Sequence, residues 1–255
     1  MKSLLKYLFV FYCGLLLPAL LPANTNDDLF FKANKYYQER DYDNALKTYQ
    51  QLLANENSSA EILYNIGNCY FKAGSLGKSI LYYERASKLN PGDEDISYNL
   101  KLASLKTVDK IEPVPAIIYK RWIKSITETL TISQWSIVFI ILVWLMFATW
   151  GFYLFANTVG GKKTSFTLAC VASGLCIISF LFLNETDRIQ NVQQYGIVLS
   201  ASSYVKSSPD ERGNDQFILH EGTKVEVLDE LGGWKKIRIA NGSVGWLKAN
   251  NIETI

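Results

Sequence analysis

The chain has 255 residues, 49% of them apolar and 20% charged, with a formal net charge of +2. That balance argues against a nucleic-acid binder held by a broad basic surface. The one histidine, His220, excludes a histidine-rich metal site and any mechanism that needs two imidazoles. The charge is unevenly placed: residues 24–112 and 184–255 each carry a net −2, while residues 113–183 between them carry +4. Two mildly acidic modules thus flank a basic, otherwise apolar middle, the pattern of soluble domains joined by membrane anchors.

Residues 1–23 combine Lys2 and Lys6 with an uncharged stretch from Tyr7 to Leu21 and the small residues Pro22 and Ala23. This predicts a secretory signal sequence, with Cys13 in its apolar centre. Residues 24–112 then repeat with a shift of 34. Phe30 matches Tyr64, Ala33 and Asn34 match Gly67 and Asn68, Tyr36 matches Tyr70, and Tyr49 matches Tyr83. A partial third match aligns Tyr64, Asn65 and Ile66 with Tyr98, Asn99 and Leu100. Each unit divides into two helices. Ser58 and Glu61 have capping-box spacing, Ile62, Leu63, Ile66 and Tyr70 form a helical stripe, and Asp93 is placed to cap a helix from about Glu94.

Ile66, Gly67, Tyr70, Ser79, Tyr83, Ala86 and Pro91, with Ala33, Tyr36, Ala45, Tyr49 and Leu52 one unit earlier, resemble the tetratricopeptide repeat (TPR). A single helical pair cannot bury its faces, and stacked pairs can. Repeats are expected at about 26–59 and 60–93, with a capping helix at 94–110. The resemblance implies a concave face that binds partner peptides. Phe30, Asn34, Tyr37, Tyr64, Asn65, Asn68, Phe71, Lys72 and Asn99 match that face. Alternatively, Asn65 and Asn99 only bridge helices and the aromatics only pack. Cys69 has no histidine in its module and reads as a small packing residue.

In residues 113–131, Ile118, Trp122, Ile126 and Leu130 recur every four positions beside Lys120, Arg121 and Lys124, which predicts an interfacial amphipathic helix against lipid headgroups. Residues 132–156 and 164–183 read as two transmembrane helices joined by a cytoplasmic loop at 157–163. Trp135, Trp150 and Tyr153 sit near the ends of the first span, and Lys162 and Lys163 follow the positive-inside rule. After a linker at 184–194 the texture changes. Val225 to Leu228 and Lys235 to Ile239 alternate polar and apolar residues, separated by Gly232 and Gly233 and followed by Asn241 and Gly242. Short strands at this spacing predict a small barrel. Residues 195–255, through Glu221 to Val225, Gly233 to Ile237 and Gly242 to Trp246, resemble bacterial SH3 domains. Such modules bind peptides or cell-wall components, or pack on neighbouring domains. Trp234 and Trp246 either form a ligand shelf or, as such tryptophans more often do, fill the core. His220 is expected at the surface.

No phosphate-binding loop, zinc-protease motif, nucleophile elbow or paired-cysteine motif occurs, so no catalytic, cofactor or metal site is expected and the chain is read as a non-enzyme. The predicted fold class is a multidomain membrane protein: an all-α TPR solenoid, two transmembrane helices and a C-terminal all-β SH3-like barrel. This order of modules resembles the BatE-type proteins of the bacterial aerotolerance (Bat) operon. The resemblance implies a bacterial inner membrane with both modules on the periplasmic side, partners among other Bat-operon membrane proteins, and a link to aerotolerance or envelope stress. The reading is a scaffold with contacts to membrane lipid and no nucleic-acid partner. The alternative is a tether that binds peptidoglycan.

Overall fold

The computed structural model describes residues 25–55, 59–114, 118–127, 129–189 and 194–255. The expected signal sequence and Ser58 of the expected capping box lie outside them. Five helices open the described chain: α1 (Thr25–Gln38), α2 (Tyr42–Asn55), α3 (Ala60–Lys72), α4 (Leu76–Leu89) and α5 (Glu94–Ser104). Helices α1–α2 and α3–α4 pair and stack through Ala33, Ala45, Tyr49, Leu52, Ile62, Ile66 and Cys69, all buried. Gly67 sets the close approach of α3 to α4, because a Cβ there would lie 2.6 Å from the Tyr83 ring. Asp93 caps α5 as expected, its side chain accepting from the Asp95 and Ile96 amides. Ser59, by contrast, caps α3 without a side-chain hydrogen bond.

Helix α6 (Ile118–Thr127) leads to α7 (Ile132–Phe155) and α8 (Val159–Asp187). The turn between α7 and α8 is tighter than the expected loop. Thr158 caps α8 by accepting from the Gly161 amide, so Lys162 and Lys163 fall in the helix's opening turns. A capping box of Thr131 and Gln134 starts α7. The two helices form an antiparallel hairpin: Trp135 meets Phe182 at one end, and Trp150 meets Phe166 toward the other. Ala169, Ala172, Cys176 and Ser179 make the buried seam of α8, small residues that let the backbones approach. Both helices are long and apolar enough to cross a membrane, with almost all their apolar surface facing outward. Helix α6 rests on the C-terminal end of α8, where Thr186 Oγ1 donates to the Thr127 carbonyl, and it leaves Trp122 exposed.

Seven antiparallel strands follow: β1 (Gln194–Val198), β2 (Ser202–Lys206), β3 (Asp215–His220), β4 (Lys224–Leu231), β5 (Trp234–Arg238), β6 (Val244–Lys248) and β7 (Ile252–Thr254). Their order in the sheet is β3-β2-β6-β5-β4-β1-β7. Gly232 and Gly233 join β4 to β5 with φ of 57° and 82°, the left-handed pair a two-residue hairpin turn demands. The interior is Val198, Val205, Leu219, Val225, Ile237, Ile239, Leu247 and Ile252.

Candidate functional site

The groove residues divide by what they already hold. Phe30 lies edge-on to Tyr49 with centroids 6.2 Å apart, and Asn34 Oδ1 accepts from the Tyr49 hydroxyl at 2.5 Å. One repeat later, Tyr64 lies 5.8 Å from Tyr83, and Asn68 Oδ1 accepts from the Tyr83 hydroxyl at 2.6 Å. Asn34 and Asn68 therefore tie the two helices of each unit together. Burial first, and then the nearby Cys69 and tyrosine groups, push both tyrosine hydroxyls up, so they stay protonated donors. Asn99 bridges helices: its Nδ2 donates to the Tyr64 hydroxyl at 2.6 Å and to Asn68 Oδ1 at 3.3 Å.

Tyr64, Asn68 and Asn99 come together between α3 and α5. Tyr64 and Asn65 open onto a cleft of about 530 Å³, lined also by Ser59, Ala60, Glu61, Asn90, Asp93 and Asp95. The acidic lining was not foreseen, although Asp27, Glu61 and Asp95 recur at the 34-residue spacing. Phe30, Asn34 and Tyr37 belong to the first unit, where Tyr37 packs edge-on to Tyr42. Phe71 lies beneath the Lys106 ammonium at 4.4 Å, and Lys72 is exposed beside it. Burial pushes the Cys69 thiol up to about 12, which leaves it an unreactive packing group.

The tryptophans lie outside the barrel's interior cluster, although Trp234 is itself buried. The register pairs Trp234 with Lys248, and Lys236 with Trp246, across β5 and β6, while Lys206 of β2 pairs with Trp246. These residues share the outer face, and Ile237 and Leu247 hold the inner one. Lys248 stands 5.8 Å over the Trp234 ring and Lys236 stands 6.0 Å over the Trp246 ring. The phase was readable in the strand: Trp234 and Lys236 alternate against Ile237. Asp215 and Glu211 pair with Lys206 and Lys248 at its rim.

His220 is not a plain surface residue, because the barrel docks on the TPR module through it. Asp109, in the connector after α5, accepts from the His220 amide at 2.7 Å and from Thr223 Oγ1 at 2.6 Å, and its other oxygen meets His220 Nδ1 at 2.7 Å. Burial raises the Asp109 carboxyl, but the bonds from Thr223 and His220, with the His220 charge, outweigh it and hold the group below its usual value. Around a buried centre of Ile80, Leu81, Ala103 and Ile197, further bonds cross the joint. The Gly77 amide donates to Glu221, Lys224 pairs with Glu84, and Arg85 reaches Glu253 and the Thr254 carbonyl. Sequence reasoning missed this joint, since no local pattern links residues more than a hundred positions apart.

Comparison with known proteins agrees with this architecture. Residues 32–94 match the tetratricopeptide repeat family and residues 201–253 match the bacterial SH3 domain family. Among solved structures, the chain is similar to PcrH in complex with the chaperone-binding region of PopB, at 11% identity over 67% of this chain and 98% of that one, with a TM-score of 0.32. It is also similar to the Sgt2 TPR domain from Aspergillus fumigatus, at 16% identity over 67% and 82%, with a TM-score of 0.31. The type III secretion translocator chaperone SycD of Yersinia enterocolitica matches at 16% identity over 60% and 92%, with a TM-score of 0.32. No curated protein matches the chain. The chain thus carries TPR repeats and a bacterial SH3 domain, domain types suited to protein–protein contact or to peptidoglycan binding.

Proposed function

We propose that the chain is a non-enzymatic, membrane-anchored scaffold that binds protein partners through its TPR groove and its SH3-like barrel. One observation carries this reading: the two modules are docked into one body, and the apolar hairpin sends both of its ends back to that body. An antiparallel pair of spans returns the chain to the side it left. The basic turn at Lys162 and Lys163 supports the reading that this side is the periplasm and the turn lies in the cytoplasm of a bacterial inner membrane. Helix α6, with Trp122 exposed, lies at the lipid surface. The order of modules points to partners among Bat-operon membrane proteins and to a role in aerotolerance or envelope stress. The histidine bound into the joint and the raised Cys69 thiol favour a binding role over a catalytic one.

The test is crosslinked affinity purification of the full-length protein from its native membrane, read by mass spectrometry. A variant with Glu61→Ala and Asn65→Ala runs beside it, because these residues line the cleft without tying helices together. Recovery of Bat-type membrane proteins, lost in the variant, supports the scaffold and the groove. Retention in the variant moves the contact elsewhere. The lysine–tryptophan face of the barrel favours a second reading, the peptidoglycan tether, since stacked rings and cations suit sugar faces and carboxylates. Co-sedimentation of the solubilised full-length chain with purified peptidoglycan, abolished by Trp246→Ala, would establish that reading.

A further inference from the structure

Helix α5 opens a third helical pair whose second helix is absent among the described residues. The 34-residue spacing shows what that helix would cover. Phe30 and Tyr64 each lie against a second-helix tyrosine, Tyr49 or Tyr83; the next residue in the series is Tyr98, 68% exposed. Asn34 and Asn68 bond the same tyrosines; next in that series is Leu102, 37% exposed. After Tyr37 and Phe71 comes Leu105, 66% exposed. The opposite face of α5, through Ile96 and Ala103, is buried against the preceding pair and the joint. The helix is therefore apolar on two sides and covered on one.

The chain's own route creates the gap. A shift of two repeats carries α2, Tyr42–Asn55, onto residues 110–123. Pro113 and Pro115 stand in that stretch and oppose a helix. Ile111 packs instead against the barrel interior, and the Val114 amide donates to the Ala240 carbonyl. Of the residues that would have completed the third pair, Ile111 and Val114 lie against the barrel and 118–123 form part of α6.

We propose that this face of α5 receives an amphipathic helix from a protein partner, laid antiparallel to α5 in the place α2 and α4 hold in the first two units. Charge selects the occupant. Helix α5 starts with Glu94 and Asp95 and ends with Lys101, followed by Lys106 and Lys110. An antiparallel helix with an acidic first turn and a basic last turn meets opposite charge at both ends and suits its own dipole. Helix α2 has that first turn, with Asp43, and α4 has that last turn, with Lys88. Leu102 then selects the central side chain. With leucine in place of asparagine, a tyrosine hydroxyl would be buried without its acceptor, so the partner presents Phe, Leu or Met there. The surface adjoins the cleft at Asp95 and extends beyond it.

The experiment uses the full-length protein in lipid nanodiscs. The probe is a fluorescent, hydrocarbon-stapled peptide with the sequence of α2, residues 42–55, carrying Tyr49→Phe. Anisotropy is expected to give micromolar binding, weakened about tenfold by Leu102→Asp and by Leu105→Asp, a loss of the size expected for one buried apolar contact. The unmodified Tyr49 peptide is expected to bind several-fold more weakly, and Asn65→Ala should change nothing. Both leucines are exposed, so unchanged circular dichroism and melting should show the variants folded. No binding, or binding that neither aspartate variant weakens, overturns the proposal. So does a dimer in mass photometry that Leu102→Asp dissolves, which would give the face to a second copy of this chain.

Discussion

Where α4 and the connector after α5 meet the barrel, a buried apolar centre of Ile80, Leu81 and Ile197 is ringed by directional bonds to Asp109, Glu221, Lys224 and Arg85. Where α7 meets α8, the seam is a row of small residues with aromatic rings at its flanks, and a side-chain bond across it joins Trp150 to Ser173 at 3.3 Å. The difference follows from the surroundings each contact is built for. In water, removing apolar area drives docking, and polar bonds choose one orientation out of many. In the proposed bilayer, burial would give two helices with apolar outer faces no preference for each other over lipid, so close fit would decide.

Four substitutions break or sharpen this contrast. Ile197→Asp places a carboxylate in the fully buried centre of the joint, and should cost about 4 kcal/mol or more and separate the modules. Hydrogen exchange of β1 and α4 would rise together, while the hairpin stays protected. Next, Asp109→Ala leaves the His220 amide and Thr223 hydroxyl without their acceptor, at about 2–3 kcal/mol. A native Asp109 lowered below its ordinary value of 3.8 contributes stability that is full above the unfolded value and is lost as pH falls through the folded one. Protease cleavage in the connector at residues 105–114 should therefore accelerate below about pH 4, and in Asp109→Ala that acid sensitivity should be blunted.

Third in size, Ala172→Leu overfills the small-residue seam, at about 1–3 kcal/mol. It should shift thermal unfolding in detergent and leave the joint's exchange untouched; a loosened joint would show that the two contacts are coupled. Smallest is Lys224→Ala, which removes a pair with Glu84 whose lysine is 43% exposed. It should cost less than ~1 kcal/mol and fade further in high salt, as a chemical-denaturation series at two ionic strengths would read.

What was legible in the sequence was whatever has a period. The 34-residue shift carried the helical pairs, uninterrupted apolar runs carried the hairpin, and alternation with Gly232 and Gly233 carried the strands. The candidate groove was legible as a set of positions but not as a division of labour. That Asn34 and Asn68 are spoken for by Tyr49 and Tyr83 emerges only when the second helices are in place. The joint left no trace, because Asp109 looks like any polar loop residue until His220 and Thr223 are folded beside it. The tryptophan face was legible in principle, since Trp234 runs out of phase with Ile237, but the habit of burying aromatics in small barrels pointed inward.

The hairpin begins just after Thr131 and ends at Asp187, next to one another, and both strands of the chain run into the same docked body. A body hung from one thread can spin, whereas a body hung from two adjacent threads keeps a bearing. In the proposed bilayer this mounting limits how freely the cleft at Tyr64 and Asn65 can turn away from the lipid. A partner anchored in the same membrane then meets the cleft with less orientational freedom left to lose on binding.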